Sequence, residues 1–366
     1  MFMERIRLFQ VHKVPHTRYL EETLNSGFYA EGPKVAEFEG RLAEFVGNPF
    51  TVTVNSGTAA LHLALYMAGV RPGRAVITTP ITSPATNISI PRLGGEILWA
   101  DVDPRSGNIC PASVGRLLDR YGERVAAVIG VDWGGMPCDF DALRRVIDGR
   151  AFLVEDAAHA LCAEYRGRLA GSYADFTCFS FQAVKHITTG DGGLLTCLYK
   201  NHWQRARRLR WFGIDRARPG RAFDDDLQEA GFKFHMNDIA ASIGLAQLEE
   251  LPTLMRRRRE IARYYEAELQ DYAVQVVDYP ATSAYWLFTL QVAERDKLIA
   301  RLDQAGIDAS PVHCRNDTYT AFTTCTLDRD GLEHTAQFDR QMLCIPVGEW
   351  LIDSDVERIV TCLKKG

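Results

Sequence analysis

Between Phe50 and about Tyr199 the chain alternates two kinds of apolar pattern. Short β-rich runs (PFTVTV, RAVITT, GEILWA, RVAAVIGV, RAFLVED, ADFTCFSF and GLLTCLY) are, in several cases, close to continuously apolar. Between most of them lie stretches with apolar residues at helical spacing, among them TAALHLALYMAGV, PASVGRLLDRYG and DFDALRRVIDG. Continuously apolar strands suit a sheet buried on both faces, and strands alternating with helices place those helices over a mainly parallel sheet. The expected fold class is α/β, with a mostly parallel seven-stranded sheet between helices.

From about Asn201 to Tyr265 the pattern changes to long helices around a polar loop, DRARPGRAFDDDLQEAG. A smaller α+β unit follows, with a strand in YWLFTLQV, a helix in ERDKLIARLDQAG, a strand near QMLCIPV and a closing helix in DSDVERIVTCLKK. Proline lacks the N–H a helix interior needs, so Pro252 is expected to interrupt the helical pattern. That places a large domain at 1–250 and a small one at 251–366.

Composition narrows the function classes. The net charge is -5, so no positive surplus points to a nucleic-acid partner. The local run Arg256 to Arg259 sits among apolar residues at helical spacing and reads as the solvated face of a helix. The nine cysteines form no CxxC pair and no zinc-spaced cluster, which fits reduced thiols in a cytoplasmic protein and no metal. No apolar run approaches the roughly 18 residues that span a bilayer, and the charged N-terminus has no signal-peptide core.

In an open α/β sheet ligands gather at the carboxyl ends of strands, and three such ends carry chemistry. In TVTVNSGTAALHLAL a strand ends at Asn55, turns through Ser56, Gly57 and Thr58, and enters a helix at Ala59. Gly57 permits the tight turn, Thr58 can cap the helix, and the free N–H groups of a helix start suit a phosphate. An ordinary turn that binds nothing fits the same residues. In RAFLVEDAAHA a buried strand ends in Glu155 and Asp156, with His159 three residues on. A carboxylate there needs a partner; Asp156 suits a cationic group such as a protonated pyridine nitrogen, or simply the start of a helix. In ADFTCFSFQAVKHITTGDGGLLTC, Lys185 follows an apolar strand ending at Ser180 and Phe181, before the turn Thr188-Thr189-Gly190-Asp191-Gly192-Gly193. A desolvated lysine loses its proton and forms Schiff bases with carbonyls, whereas a surface lysine would do nothing of the kind. Together the three ends hold an amine, a carboxylate and a helix start, which is what pyridoxal 5'-phosphate (PLP) requires for its aldehyde, its ring nitrogen and its phosphate.

With these motifs the chain resembles the DegT/StrS-type sugar aminotransferases, of the aspartate-aminotransferase (type I) PLP fold. The likeness runs from GFYAEGPKVAEFEGRLAEFVG to the last helix, through NSGTAALHLAL, ADVDP, GGMPCDFDAL, EDAAHA, SFQAVKHITTGDGG and ASIGLAQLE. The resemblance implies that Lys185 holds the cofactor, Asp156 pairs with its ring nitrogen and His159 lies near its hydroxyl. It implies Gly57, Thr58 and Ser180 at the phosphate, beside Ser56. It further implies a homodimer with shared active sites, glutamate as amino donor and a keto sugar, usually nucleotide-linked, as acceptor. A related dehydratase branch carries histidine in place of the lysine, so Lys185 favours transamination. Amination of an acidic or non-nucleotide sugar, sugar deoxygenation, and a PLP-binding regulator are the alternatives.

Three positions depart from that family's pattern. Ser83, in TTPITSPATN, stands where an aromatic residue usually stacks on the cofactor ring. Lys233, in GFKFHMND, stands where an asparagine reaches the neighbouring subunit's cofactor phosphate. In VHCRND only His313 matches the usual histidine-tyrosine pair, and Arg315 is a candidate for an anionic part of the substrate.

Overall fold

The computed structural model describes residues 4–216 and 226–365, so part of the polar loop after Asp215 lies outside the described residues. All seven expected strands form and join one sheet. Its order is Thr51–Val54, Gly193–Cys197, Phe176–Ser180, Phe152–Asp156, Val125–Val131, Ala75–Thr78, Glu96–Trp99 and Thr326–Arg329. From Phe176–Ser180 onward every pairing is parallel, while Gly193–Cys197 runs antiparallel to both its neighbours.

Among the described residues the sheet therefore has eight strands rather than seven. The eighth, Thr326–Arg329, comes from the C-terminal part of the chain and pairs with Glu96–Trp99 at the sheet edge. Its sequence, TLDR, is only partly buried and has one apolar residue. An edge strand needs no continuous apolar run, so no pattern announces it.

Side chains alternate between two buried layers. Val76, Ile97, Ile129 and Val154 pack on one face against the helix Gly57–Met67. Ala75, Ile77, Leu98 and Leu153 pack on the other against the helices Pro111–Tyr121 and Phe140–Ile147. A separate three-stranded sheet contains Ala273–Val274, Phe288–Gln291 and Met342–Ile345, and is covered by the helices Arg295–Gln304 and Asp353–Lys364.

The helix Asp238–Glu268 links the two. Pro252 lies inside it rather than ending it. Leu245 and Leu251 pack in a core beside the large sheet, whereas Ile261 and Tyr265 pack in the core of the small sheet. Burial of both halves offsets the one hydrogen bond proline removes on the exposed side of the helix. The arginine run on this helix is also not a uniformly solvated face. Arg258 is buried and donates to Glu349 Oε2 at 3.0 Å, to Val347 O at 2.6 Å and to Tyr285 O at 3.1 Å. Arg257 reaches Asp353, Arg259 reaches the carbonyl of Cys162, and Arg256 stays exposed.

Candidate active site

The carboxyl ends of the strands open into one cavity of about 390 Å³. At its first wall the helix Gly57–Met67 begins two residues earlier than its capping pattern suggested. Ser56, not Thr58, is the cap, and its hydroxyl accepts from Ala59 N at 3.0 Å. The N–H groups of Gly57 and Thr58 have no intrahelical acceptor, and both residues line the cavity with Ser180. The approach is close: a Cβ at Gly57 would lie 2.9 Å from Cβ of Ser180, and one at Gly193 would lie 2.6 Å from Ser56 O. These glycines let two strand ends and a helix start meet.

The second wall is the end of Phe152–Asp156. Asp156 is buried and lines the cavity. The Thr86 hydroxyl donates to its Oδ2 at 2.7 Å and Ala158 N–H to its Oδ1 at 3.1 Å. Burial raises its pKa, opposed by these donors and by Lys185. Glu155 points to the other side of the strand. There the Thr177 hydroxyl donates to Oε2 at 2.7 Å, and Oε1 faces the equally buried Asp132. Among the described residues Asp132 Oδ2 and Glu155 Oε1 have no other partner, and burial raises both carboxyls, so the pair retains a proton above the ordinary carboxylate range.

The third wall is the loop after Phe176–Ser180. Phe181 closes it by donating to Gly192 O at 2.8 Å and accepting from Thr189 N at 3.0 Å, and Gly190 takes a φ of 84° in the turn. Lys185 thereby projects into the cavity, where burial lowers its amine to about 7 and Asp156 opposes the shift. His159 and His313 lie 6.1 Å apart with nearly parallel rings. Burial holds His159 well below its usual pKa and His313 at about 4, so both are neutral at pH 7. His159 Nδ1 and His313 Nε2 are buried without a partner among the described residues.

The structure thus gathers Ser56, Gly57, Thr58, Ser83, Asp156, His159, Ser180, Lys185 and His313 around one space. Two residues stand apart. Arg315 does not line the cavity and is held by Asp317 in a two-pronged ion pair, at 3.0 and 2.8 Å. Lys233 is exposed, its carbonyl accepting from Asn55 Nδ2 at 3.3 Å. Ser83 lines the cavity as cap of the short helix Pro84–Asn87, and the aromatic rings that line it are instead Phe9 and Trp286. Sequence reasoning missed Thr86, Phe9 and Trp286. Thr86 has a signal, since it shares the TTPITSPATN segment with Ser83; the other two have none, being remote from every motif.

These residues fit PLP. Two histidines that each carry an unpartnered ring nitrogen, a buried carboxylate with acceptor capacity left, and a helix start that a single added Cβ would crowd all line the same cavity. A buried carboxylate so placed needs a cation, and a protonated ring nitrogen is one.

Known proteins resemble this chain over almost its whole length. The family model described as "DegT/DnrJ/EryC1/StrS aminotransferase family" matches residues 12–364. The spore coat polysaccharide biosynthesis protein SpsC of Bacillus subtilis is 34% identical over 94% of this chain and 92% of its own. The crystal structure of the sugar aminotransferase CalS13 from Micromonospora echinospora superposes with a TM-score of 0.92, at 36% identity, over 99% of this chain and 100% of that one. The putative sugar aminotransferase Spr1654 from Streptococcus pneumoniae, in its PMP form, gives a TM-score of 0.90 at 27% identity over 99% of this chain and 97% of that one.

Proposed function

The chain belongs to the DegT/DnrJ/EryC1/StrS aminotransferase family, and on that premise we propose that it moves an amino group from glutamate to a nucleotide-linked keto sugar, with Lys185 as the cofactor-bearing residue. It is a PLP-dependent sugar aminotransferase. The observation that carries the assignment of residues is the juxtaposition of Asp156 and Lys185, from different strand ends, in one cavity that also holds a free helix start.

PLP supplies an aldehyde for amines and a protonated ring that draws electrons from the carbon beside nitrogen. Asp156 keeps that ring proton in place, and Thr86 and the Ala158 N–H fix the carboxylate's orientation. Gly57, Thr58 and Ser180 hold the phosphate, and Ser56 shapes their turn. Lys185 Nζ takes and returns the proton at the substrate carbon, which an amine near neutrality does best. His159 holds the ring hydroxyl and His313 a sugar hydroxyl, each through a neutral imidazole.

A neutral sugar ring is favoured over an acidic one, because no arginine is among the described residues that line the cavity and Arg315 is occupied by Asp317. A homodimer is supported by Phe28 and Tyr29, which are 46% and 49% exposed in one chain. In the dimer the exposed Lys233 reaches the neighbouring subunit's cofactor phosphate.

The test is the absorption spectrum of the purified protein. Glutamate should convert the visible band of the lysine-bound cofactor to the shorter-wavelength pyridoxamine form, and a nucleotide keto sugar should restore it. A visible band indifferent to glutamate would rule out that donor, and no band with added PLP would overturn the assignment of Lys185.

A further inference from the structure

Ahead of the first helix, Arg18–Ser26, the N-terminal segment passes from the core of the small sheet, where Ile6 is buried, to the cavity, which Phe9 lines. One end is anchored where Ile6 N–H donates to Gly306 O and Asp308 N–H to Ile6 O, both at 2.9 Å. The other is anchored on the long helix, where Gln247 Nε2 donates to His12 O at 3.2 Å and His16 Nε2 meets Glu249 Oε2 at 3.0 Å. Between the anchors Phe9 lines the cavity and stacks on Trp286, with ring centroids 5.0 Å apart and planes 28° apart. Phe9 precedes residues 12–364, which the family model matches.

Trp286 is held from every side. Its ring also stacks on His159 at 3.8 Å and 16°. Its indole N–H donates to Val184 O at 2.9 Å, which ties it to the residue before Lys185. Its backbone follows Tyr285, whose φ of 47° is unusual for a bulky residue. Gly135 makes room there: Ala284 N–H donates to Gly135 O at 2.9 Å, and a Cβ at Gly135 would lie 3.0 Å from Tyr285 N. Against the ring lies Lys185, with Nζ 3.7 Å from its centroid.

An aromatic face attracts an ammonium through its quadrupole, most strongly for tryptophan and in a desolvated site. We propose that Trp286 is a positioning residue for Lys185, receiving the ammonium on its ring whenever Nζ is free, and that Phe9 on the N-terminal strap clamps that ring. The contact holds the amine at one place in the cavity and raises its affinity for a proton. Burial acts in the opposite sense, and Asp156 in the same sense as the ring. The consequence for turnover rests on Lys185 being the cofactor-bearing residue; the contact itself does not.

The test uses the full chain freed of cofactor. Trace acetylation by acetic anhydride, read at the Lys185 peptide by mass spectrometry across pH, gives the amine's titration midpoint. Trp286→Met should lower that midpoint by about one pH unit, Trp286→Phe should keep most of it, and Phe9→Ala should lower it by less. An unmoved midpoint in Trp286→Met overturns the proposal; should that variant fail to fold, an unmoved midpoint in Phe9→Ala does so for the clamp and an unmoved one in Trp286→Leu for the ring. The cofactor's visible band is read separately, so a midpoint that shifts as expected in a chain that binds no PLP would keep the contact and remove only its role in turnover.

Discussion

Glu155 and Asp156 are neighbours in sequence and face opposite sides of one strand. One enters the cavity, and the other is sealed against Asp132. The pair's shared proton has a consequence for stability. In the unfolded chain these carboxyls titrate near 4, while in the folded chain both are raised. Folding therefore takes up a proton above pH ~4, and stability falls as pH rises from there toward neutrality. In Glu155→Gln the amide can donate to Asp132 while its oxygen still accepts from Thr177. Urea unfolding between pH 5 and 8 should accordingly be flatter with pH in Glu155→Gln than in the parent. Equal slopes would mean that the pair holds no proton.

At the scale of elements, helix ends are satisfied across the fold as well as locally. Asn237 caps its own helix by accepting from Ala240 N at 2.9 Å. Asp238, the next residue, serves a different helix. Its carboxylate accepts from the N–H groups of Gly32, Lys34 and Val35, at 2.8, 3.1 and 3.0 Å, at the start of Pro33–Val46. Asp238→Ala should cost about 2–3 kcal/mol by urea unfolding, because three donors at a helix N-terminus lose one charged acceptor. Asp238→Asn should recover part of this. A cost below about 0.5 kcal/mol would show that water replaces the carboxylate there. The local capping pattern around Asn237 is readable from sequence. The role of Asp238 is not, since its partners lie some two hundred residues away.

Across the whole molecule, the helix Asp238–Glu268 joins the core beside the large sheet to that of the small one, and Arg258 fastens it to the C-terminal segment. Glu349 is half of that attachment, and Arg258 is its principal cation. Arg258→Ala leaves this carboxylate without its arginine partner in a largely buried site, which should cost about 3–5 kcal/mol. Replacing both partners together, as Arg258→Met with Glu349→Leu, should cost much less. A double variant as unstable as the single one would show that the two backbone acceptors of Arg258, Val347 O and Tyr285 O, rather than its charge pairing, hold the junction. The same long-range packing carries Trp286 and His313 to the ends of the large sheet, so the cavity exists only when the two sheets are in place.

By itself the sequence determined what depends on neighbours along the chain. Seven strands follow from continuous apolar runs between turn residues, and parallel alternation puts their carboxyl ends on one side. That is why Gly57, Asp156 and Lys185 stand out together at strand ends, where the family resemblance adds Ser180. Tertiary structure alone decided the rest: the eighth strand, with one apolar residue in TLDR; the helix that continues through Pro252; which arginine of the run is buried; and the arrival of Phe9 and Trp286 beside Lys185. Each of these depends on contacts between residues far apart in sequence, where burial and partner, rather than periodicity or turn chemistry, set the energy.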